Sequence, residues 1–160
     1  MTTPTPQSLA EMVRDGMLAN DHATTSLGMR ITAIGPGRAT ATMAVRQDML
    51  NGHATCHGGF ISALADSAFA FACNSYNEVT VASGFSIDCV APGKLGDTLT
   101  AQCVEVSRAG RTGVYDSEVI NQRGERIAVF RGRSYTIKGK PVVDLASTPA
   151  STDAVPKAAP

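Results

Sequence analysis

The chain has 160 residues, 43% of them hydrophobic, which is enough for one domain with a sizeable core but not for two. Fourteen basic and fourteen acidic side chains cancel. This balance argues against nucleic acid or an anionic membrane as the main partner, because both are held chiefly by positive charge. There is no secretory signal and no run approaching the roughly 18 apolar residues of a membrane span. Four widely spaced cysteines are typical of reduced cytosolic proteins, so the sequence predicts a cytoplasmic protein.

The first part of the chain contains one predicted helix and two predicted strands. Apolar residues recur at helical spacing from Gln7 to about Ala19, within an N-terminal helical segment at 1–26. Ile31 to Ile34 has the composition of a strand and ends at a Gly-Pro-Gly turn. From Arg38 to Arg46 the residue types alternate, which predicts a half-buried strand.

The longest predicted element follows a loop rich in Gly and His. Phe60 to about Tyr76 contains neither Pro nor Gly, and apolar residues occupy nearly every side of the predicted helix. A helix of this kind is buried. Four strand-like runs separated by turn sequences come next, and we expect them to form an antiparallel meander; they are Val79–Val90, Thr98–Val106, Val114–Asn121 and Arg126–Ile137.

These elements predict an α+β fold. An antiparallel sheet of about five to six strands wrapped around one long central helix is the economical way to bury a helix that is apolar on nearly every side. This is the hotdog arrangement. We predict one such domain over residues 27–138, and a disordered tail over residues 139–160, which are rich in Pro, Ala, Ser and Thr.

The predicted helix carries a single charged residue, Asp66. Burying an ionised carboxylate without a partner costs several kcal/mol, so something must offset that cost. A structural carboxylate, bonded to backbone amides or to a distant arginine, is the plain alternative. A catalytic role is favoured because the segment before the helix, Asn51 to Gly59, has the composition of a ligand-binding loop.

Gly58 and Gly59 stand where the helix begins. Glycine lets a ligand approach the backbone closely, and the free amides of a first helical turn can polarise a carbonyl. Alternatively, the two glycines only let the loop turn tightly into the helix.

Gly58 and Asp66 are about 12 Å apart along a helix, whereas a reacting carbonyl lies about 3 Å from both of its catalytic groups. If both groups are catalytic, they belong to different subunits of at least a dimer, with two equivalent sites between antiparallel helices.

The loop and the helix together resemble the PaaI-type thioesterases of phenylacetate degradation. The resemblance rests on Asn51-Gly52-His53, Cys56-His57-Gly58-Gly59 and Leu64-Ala65-Asp66-Ser67-Ala68-Phe69-Ala70. It extends over about residues 20–138 through further motifs, which are Ser86-Ile87-Asp88, Pro92-Gly93, Gly96-Asp97-Thr98-Leu99, Gly113-Val114-Tyr115-Asp116 and Phe130-Arg131-Gly132. It implies a hotdog fold and a homotetramer of two hotdog dimers. It also implies hydrolysis of acyl-CoA thioesters, especially phenylacetyl-CoA and its ring-hydroxylated relatives, with no cofactor, because coenzyme A is part of the substrate.

The resemblance also implies roles for individual residues. Asp66 would act as nucleophile or as general base for water, and the Gly58 amide would polarise the thioester carbonyl. Asn51 would lie near the carbonyl or the sulfur, His57 would hold the loop at the thioester end, and Ser67 would assist the attacking water. Four further residues are expected to bind substrate, and these are Gly59, Ser83, Arg111 and Thr112.

The second half of the chain is locally basic. From Arg108 to Lys140 there are eight basic and three acidic residues, and Arg and Lys are the usual partners of phosphate. These side chains either form a solvated sheet face or hold the phosphates of coenzyme A. The turn Gly110-Arg111-Thr112 is the best single candidate for a phosphate contact.

Other chemistry in the same region is less well supported. His53, Cys56 and His57 lack a fourth ligand and match no zinc spacing, so no metal site is predicted. Neighbouring loop residues rarely face each other, which argues against Cys56 as a nucleophile activated by His57. The remaining cysteines, Cys73, Cys89 and Cys103, have the character of small core residues. Four aromatic residues either line an aryl pocket or pack the core, and these are Phe60, Phe69, Tyr76 and Phe85.

Two rival functions remain open. A hotdog enoyl-CoA hydratase or dehydratase needs a histidine and a carboxylate paired at one carbon, and the motif that carries them is not found here. A non-catalytic acyl-CoA-binding module gains nothing from a carboxylate beside an anionic ligand, so Asp66 argues against it.

Overall fold

The computed structural model describes residues 3–146. Helices α1 (Pro6–Leu18) and α2 (His22–Ser26) come first, followed by strands β1 (Arg30–Gly35) and β2 (Arg38–Ala44) and a 3-10 turn at Gln47–Met49. The long helix α3 (Gly58–Asn74) precedes strands β3 (Thr80–Cys89), β4 (Thr98–Ala109), β5 (Thr112–Ile120) and β6 (Arg126–Thr136). Most predicted boundaries lie within three residues of these. Helix α2 was not predicted, because five residues are too few to show a period.

The strands form one antiparallel sheet in the order β1-β2-β4-β5-β6-β3. The predicted meander is therefore wrong at its first strand, because β3 pairs with β6 and not with β4. Helix α3 crosses the sheet, so the strand that follows it, β3, lies at the far edge. The buried Asn74 side chain holds the end of α3 against the start of β3, since it donates to the Thr80 carbonyl at 2.8 Å and accepts from the Thr80 amide at 2.9 Å.

Helix α3 packs on one face of the sheet and forms the centre of the core. Its sheet-facing side is buried, and its other positions are half-buried or exposed. Phe69 is fully buried, and a Cβ at Gly132 would lie 2.8 Å from three atoms of its ring, so the helix approaches β6 where that strand has no side chain. A single antiparallel sheet wrapped around a central helix is the predicted hotdog fold.

The two edges of the sheet are treated differently. Helix α1 covers the Ile34 end of the β1 edge, with Ala10 and Val13 fully buried and the Gln7 side chain donating to the Ile34 carbonyl at 2.9 Å. Strand β3 pairs with β6 on one side only, and every β3 residue except Thr80, Gly84 and Ile87 is exposed.

The start of the predicted tail is held against the domain. Asn77 accepts from the Val142 and Val143 amides at 3.0 and 2.9 Å, and the Val143 side chain lies against Gly16 of α1. The rest of the predicted tail, from residue 147 onward, lies outside the described residues. Between residues 3 and 146 no helix combines the length and the apolar composition needed to cross a membrane.

Candidate active site

The loop before α3 is organised around the Asn51 side chain. Its carbonyl oxygen accepts from the His53 amide at 2.9 Å and from both the amide and the hydroxyl of Thr55 at 3.2 Å. These bonds fix the orientation of the carboxamide. Its Nδ2 has no partner within residues 3–146, and it remains available to donate to a ligand.

The N-terminus of α3 leaves one amide without an acceptor. His57 is the N-cap, and its Nδ1 accepts from the Gly59 amide at 3.1 Å. The amides of Cys56 and His57 donate to the carbonyls of Gly93 and Met49, each at 2.8 Å. The Gly58 amide donates to no acceptor in the described part of the chain, so it can polarise a ligand carbonyl at the positive end of the helix dipole.

Asn51 and Gly58 meet at one cavity of about 370 Å³. The other lining residues come from the loop, from the first turns of α3 and from the end of β3 with its following turn, and they are Thr55, Cys56, Ile61, Cys89, Val90, Ala91 and Pro92. The cavity thus combines two N–H donors that have no acceptor in the described residues with a wall of mixed polar and apolar character, which suits an uncharged carbonyl group.

Asp66 lies two turns further along α3 and does not line this cavity. Its carboxylate is half-buried and has no hydrogen bond or ion pair within residues 3–146. Loss of water around the group raises the pKa of Asp66 above its ordinary value. A carboxylate of this kind is more basic than an exposed one, which favours a role in accepting a proton.

Asp66 and Ser67 face different sides of the helix, since adjacent residues are about 100° apart around it. The Ser67 hydroxyl lies 3.4 Å from the Thr24 hydroxyl of α2. Phe69 lies on the opposite flank, where its ring centroid is 5.8 Å from that of Phe130 on β6. Asp66 precedes Phe69 by three residues, so the two side chains are neighbours on the helix surface, but Phe69 is buried against the sheet whereas Asp66 is among the half-buried positions of α3.

The other predicted residues lie away from the cavity within one chain. Gly59 is exposed at the start of α3, and Ser83 on β3 donates to the Arg133 carbonyl at 3.1 Å. Arg111 and Thr112 flank the β4–β5 turn, at the opposite end of the sheet. No group of three or more His, Cys, Asp or Glu side chains within residues 3–146 is arranged to hold a metal ion.

Cys89 was missed as a candidate, and its prediction as a core residue is wrong. It is exposed, it lines the cavity, and a Cβ on Gly58 would lie 3.8 Å from its sulfur. Cys73 and Cys103 are buried as predicted. Period-two alternation places Cys89 on the helix-facing side of β3 with Phe85 and Ile87. The alternation does not show that Cys89 lies beside the first residue of α3, where the helix leaves it exposed.

The four aromatic candidates divide into core and accessible residues. Phe69 is fully buried, and Phe60 is half-buried. Tyr76 lies under the Arg108 guanidinium, 3.7 Å from its ring centroid. Phe85 on β3 is 42% exposed and stacks at 5.0 Å on Phe130. Phe85 is therefore the most exposed of the four aromatic candidates.

Comparisons with known proteins identify the family of this chain. The family described as Thioesterase superfamily matches residues 53–128. The acyl-coenzyme A thioesterase PaaI of Escherichia coli (strain K12) is 47% identical over 123 residues, which are 77% of this chain and 88% of that protein.

Solved structures show the same likeness. The structure of the E. coli PaaI protein from the phenylacetic acid degradation operon has a TM-score of 0.83 and 43% identity, covering 85% of this chain and 99% of that one. The Streptococcus mutans UA159 protein smu.793 bound to acetyl CoA has a TM-score of 0.66 and 28% identity, covering 68% of this chain and 88% of that one. The chain therefore belongs to the thioesterase superfamily, and within it to the PaaI-type acyl-CoA thioesterases of the hotdog fold.

Proposed function

We propose that this thioesterase hydrolyses arylacetyl-CoA thioesters, such as phenylacetyl-CoA and its ring-hydroxylated relatives, to the free acid and coenzyme A. The likeness to the PaaI protein of a phenylacetic acid degradation operon supports the substrate class. The four unpaired thiols suit a reducing cytoplasm, where we place the enzyme.

One observation carries the proposal. A single helix presents an amide without an acceptor at Gly58 and a carboxylate without a partner at Asp66, about 12 Å apart. An amide that polarises a carbonyl and a base that activates its attacker are the two groups that thioester hydrolysis needs. Because they cannot reach one carbonyl within one chain, each site takes Gly58 from one subunit and Asp66 from another.

The open β3 edge supports pairing of two chains. Strand β3 has ten residues, one charged side chain and exposed apolar groups at Val81 and Phe85, at 47% and 42% exposure. A long uncharged edge of this kind joins another strand readily. Antiparallel pairing of two β3 strands around a two-fold axis sets the two α3 helices side by side, with the Asp66 side of each facing the axis. Two such dimers would form the homotetramer that the family resemblance implies.

The chemistry follows from these positions. The thioester carbonyl accepts a hydrogen bond from Gly58 and lies near Nδ2 of Asn51, which stabilise the negative charge that develops on its oxygen. Asp66 takes a proton from a water molecule as that water attacks the carbonyl carbon, and the proton passes to the coenzyme A sulfur as the C–S bond breaks. In the alternative route Asp66 attacks the carbon itself, coenzyme A leaves, and water then hydrolyses the resulting anhydride.

The aryl group of the substrate packs on Phe85. This ring is accessible, it lies on the helix-facing side of β3 with the cavity residue Cys89, and Phe130 supports it from the sheet. Offset or edge-on contacts between aromatic rings contribute beyond simple burial, which favours an aryl over an alkyl group at this position.

The first experiment measures thiol release from a panel of CoA thioesters with phenylacetyl, hydroxyphenylacetyl, benzoyl, short-chain and long-chain acyl groups. Wild type and Asp66→Asn are compared, and circular dichroism checks that the variant folds. We expect preference for arylacetyl groups and a loss of about 100-fold or more in kcat for the variant. An active variant would exclude Asp66 as base or nucleophile. Hydration of an enoyl-CoA, or binding without turnover, would support the rival functions.

The second experiment tests whether the site is shared. Gly58→Pro removes the amide hydrogen at the first helical position, where proline is well tolerated, and His57 before it already has the extended ψ of 131° that proline requires. Asp66→Asn and Gly58→Pro chains are co-expressed with different tags, and the mixed dimer is purified. It holds one intact and one doubly defective site, so it recovers about half of the wild-type activity. Mixed dimers as inactive as their parents would place both groups in one chain.

A further inference from the structure

Asp97 is a buried carboxylate that the proposed chemistry does not use. It is 3% exposed and is the last residue of the connection between β3 and β4. One oxygen, Oδ1, accepts from Nε2 of Gln122 at 2.8 Å and from Nη1 of Arg123 at 3.2 Å, both in the turn between β5 and β6. The other oxygen, Oδ2, accepts from the backbone amide of Lys94 at 2.9 Å. The carboxylate is therefore anchored on one side and bonded to the β3–β4 connection on the other.

The Lys94 amide belongs to the peptide group that also carries the Gly93 carbonyl. In a trans peptide group the N–H and the C=O point in opposite directions, so this carbonyl points away from Asp97. It accepts from the Cys56 amide at 2.8 Å. A single peptide group thus connects the Asp97 carboxylate to the loop before α3.

The loop continues this series of hydrogen bonds. The Cys56 amide shares its peptide group with the Thr55 carbonyl, which accepts from the Asn51 amide at 2.8 Å. Three hydrogen bonds and two peptide groups therefore lead from Asp97 to Asn51, and every donor points toward the carboxylate. Hydrogen bonds in such a head-to-tail arrangement polarise and strengthen one another. This Asp97 series ends at a residue that lines the cavity.

The Asp97 carboxylate is ionised at neutral pH. Burial by itself raises the pKa of Asp97, but hydrogen bonds from Gln122, the Lys94 amide and Arg123 together hold it below its ordinary value. The first bond of the series is therefore charge-assisted, and such bonds are about twice as strong as neutral ones. A carboxylate that stays ionised orients its partners and does not carry protons in the reaction.

The Gly93 peptide group is held closely against the loop. A Cβ on Gly93 would lie 3.2 Å from the Cβ of Cys56, which is closer than most contacts of a Cβ. Pro92, just before Gly93, lines the cavity together with Cys56. The Gly58 amide follows Cys56 by two residues. A shift of the Gly93 peptide group is therefore passed to the cavity wall and to the start of α3.

We propose that Asp97 is a positioning residue for thioester hydrolysis, which acts through the Gly93 carbonyl to hold Asn51 and the Gly58 amide at the thioester carbonyl. This rests on the proposed function, because it takes these two donors as the groups that polarise the carbonyl. Displacements near 1 Å can cost about 100-fold in rate, so the loss of one bond in the series is measurable in kcat.

The first test compares the two sides of the carboxylate. Asp97→Asn keeps the shape, but its NH2 group places a donor against either the Lys94 amide or the donors of Gln122 and Arg123. We expect kcat for the preferred acyl-CoA to fall about tenfold or more, with KM little changed. A wild-type kcat in the folded variant would overturn the proposal.

Gln122→Ala is the matched control. It removes a hydrogen bond to Oδ1 of Asp97 and the bond in which the Thr98 amide donates to Oε1 of Gln122 at 3.0 Å. It leaves the bond between Lys94 and Oδ2 of Asp97 in place. Its Tm should fall, but its kcat should stay at the wild-type value. Equal losses of kcat in Gln122→Ala and Asp97→Asn would show a general effect of stability and would contradict a positioning role.

Amide hydrogen exchange, followed by NMR, shows whether the series itself is broken. In Asp97→Asn the Cys56 and Asn51 amides should exchange about tenfold faster, the scale of one lost charge-assisted hydrogen bond. The His57 amide donates to the Met49 carbonyl, outside the series, and should keep its wild-type rate. Equal acceleration at all three amides, or at none, would mean that Asp97 does not act through this series.

Gly93→Ala disturbs the same peptide group while the buried ion pair stays intact, so it tests the series even if Asp97→Asn does not fold. The backbone of Gly93 is outside the left-handed region, and alanine can adopt it. Its methyl group presses on Cys56 and lengthens the bond from the Cys56 amide. We expect the same exchange pattern and a loss of about threefold in kcat. Wild-type exchange and kcat in this variant would overturn the proposal.

Asn51→Ala separates the positioning role from the proposed function. It removes Nδ2, and the proposed function predicts a fall of about tenfold or more in kcat. If Asn51→Ala keeps the wild-type kcat, the proposed function has failed at this donor. If Asn51→Ala is impaired and Asp97→Asn is not, only the role of Asp97 is wrong.

Discussion

The two edges of the sheet show how one fold separates stability from function. The β1 edge is six residues long, and α1 protects its Ile34 end with buried apolar groups and a hydrogen bond from Gln7. The β3 edge is longer, exposed and nearly uncharged. An unprotected edge strand is a site of aggregation unless another strand pairs with it. We therefore expect the open β3 edge to form a specific contact. Four predictions test this contrast, beginning with the largest expected effect.

A charge at the middle of the β3 edge should separate the subunits. Ser86 is exposed and pairs with Arg131, so a single chain tolerates Ser86→Glu, but two chains would bring two such carboxylates together. We expect the dissociation constant of the dimer to rise by about 100-fold or more. Light scattering should show monomers, and specific activity should recover as protein concentration increases.

The matched change on the other edge is Thr32→Glu, at an exposed position of β1. It should alter neither assembly nor activity. If both variants dissociate, or neither does, the two edges do not differ in the way we describe.

Phe85 tests whether the open edge also selects the acyl group. Phe85→Leu keeps an apolar side chain and removes the aromatic face that stacks on Phe130. We expect kcat/KM for phenylacetyl-CoA to fall about three- to tenfold, with little change for acetyl-CoA. Equal losses for the two substrates would indicate a general effect on packing in place of aryl recognition.

The ionised side chain of Asp66 should lower the stability of the folded protein at neutral pH. Its pKa is raised in the folded state, so the ionised form destabilises the fold above that pKa. This cost disappears as the pH falls through the folded pKa toward the ordinary value of the carboxyl group. Asp66→Asn should therefore raise Tm by a few degrees at pH 7, with a smaller gain near pH 4, on the scale of single-site effects. A lower Tm at pH 7 would show that a partner stabilises the carboxylate in the assembled protein.

The smallest expected effect is a loss of stability at the β1 edge. Gln7→Ala removes the hydrogen bond to the Ile34 carbonyl and should lower the free energy of unfolding by about 0.5–1.5 kcal/mol. Urea denaturation measures this change. Subunit assembly and kcat should stay at wild-type values, and a loss of either would mean that α1 also supports the site.

Local patterns predicted most of the fold. Helical spacing located α1 and α3, and alternation located β2, because each pattern reports which side of an element is buried. Strand-like composition bounded by turn residues located the other five strands. The pairing of β3 with β6 was not predictable in this way. It depends on where α3 delivers the chain, and contacts distant in sequence leave no local period.

The candidate site was predictable as a set of residues but not as an arrangement. The Gly-rich loop and the lone charge on an apolar helix indicate Gly58 and Asp66 as candidates from the sequence alone. The exposure of Cys89 depends on where the helix starts over the sheet.

The missing side chain at Gly132 sets the height of the helix above the sheet. A methyl group there would come within 2.8 Å of the Phe69 ring, well inside ordinary contact distance, so the helix would have to rise. Asp66 lies one turn before Phe69 on the same helix and would rise with it, and displacements near 1 Å can cost about 100-fold in rate. The size of the side chain at position 132 thus sets the distance between α3 and β6. Graded substitutions there offer a way to adjust the reach of the carboxylate without touching any residue of the site.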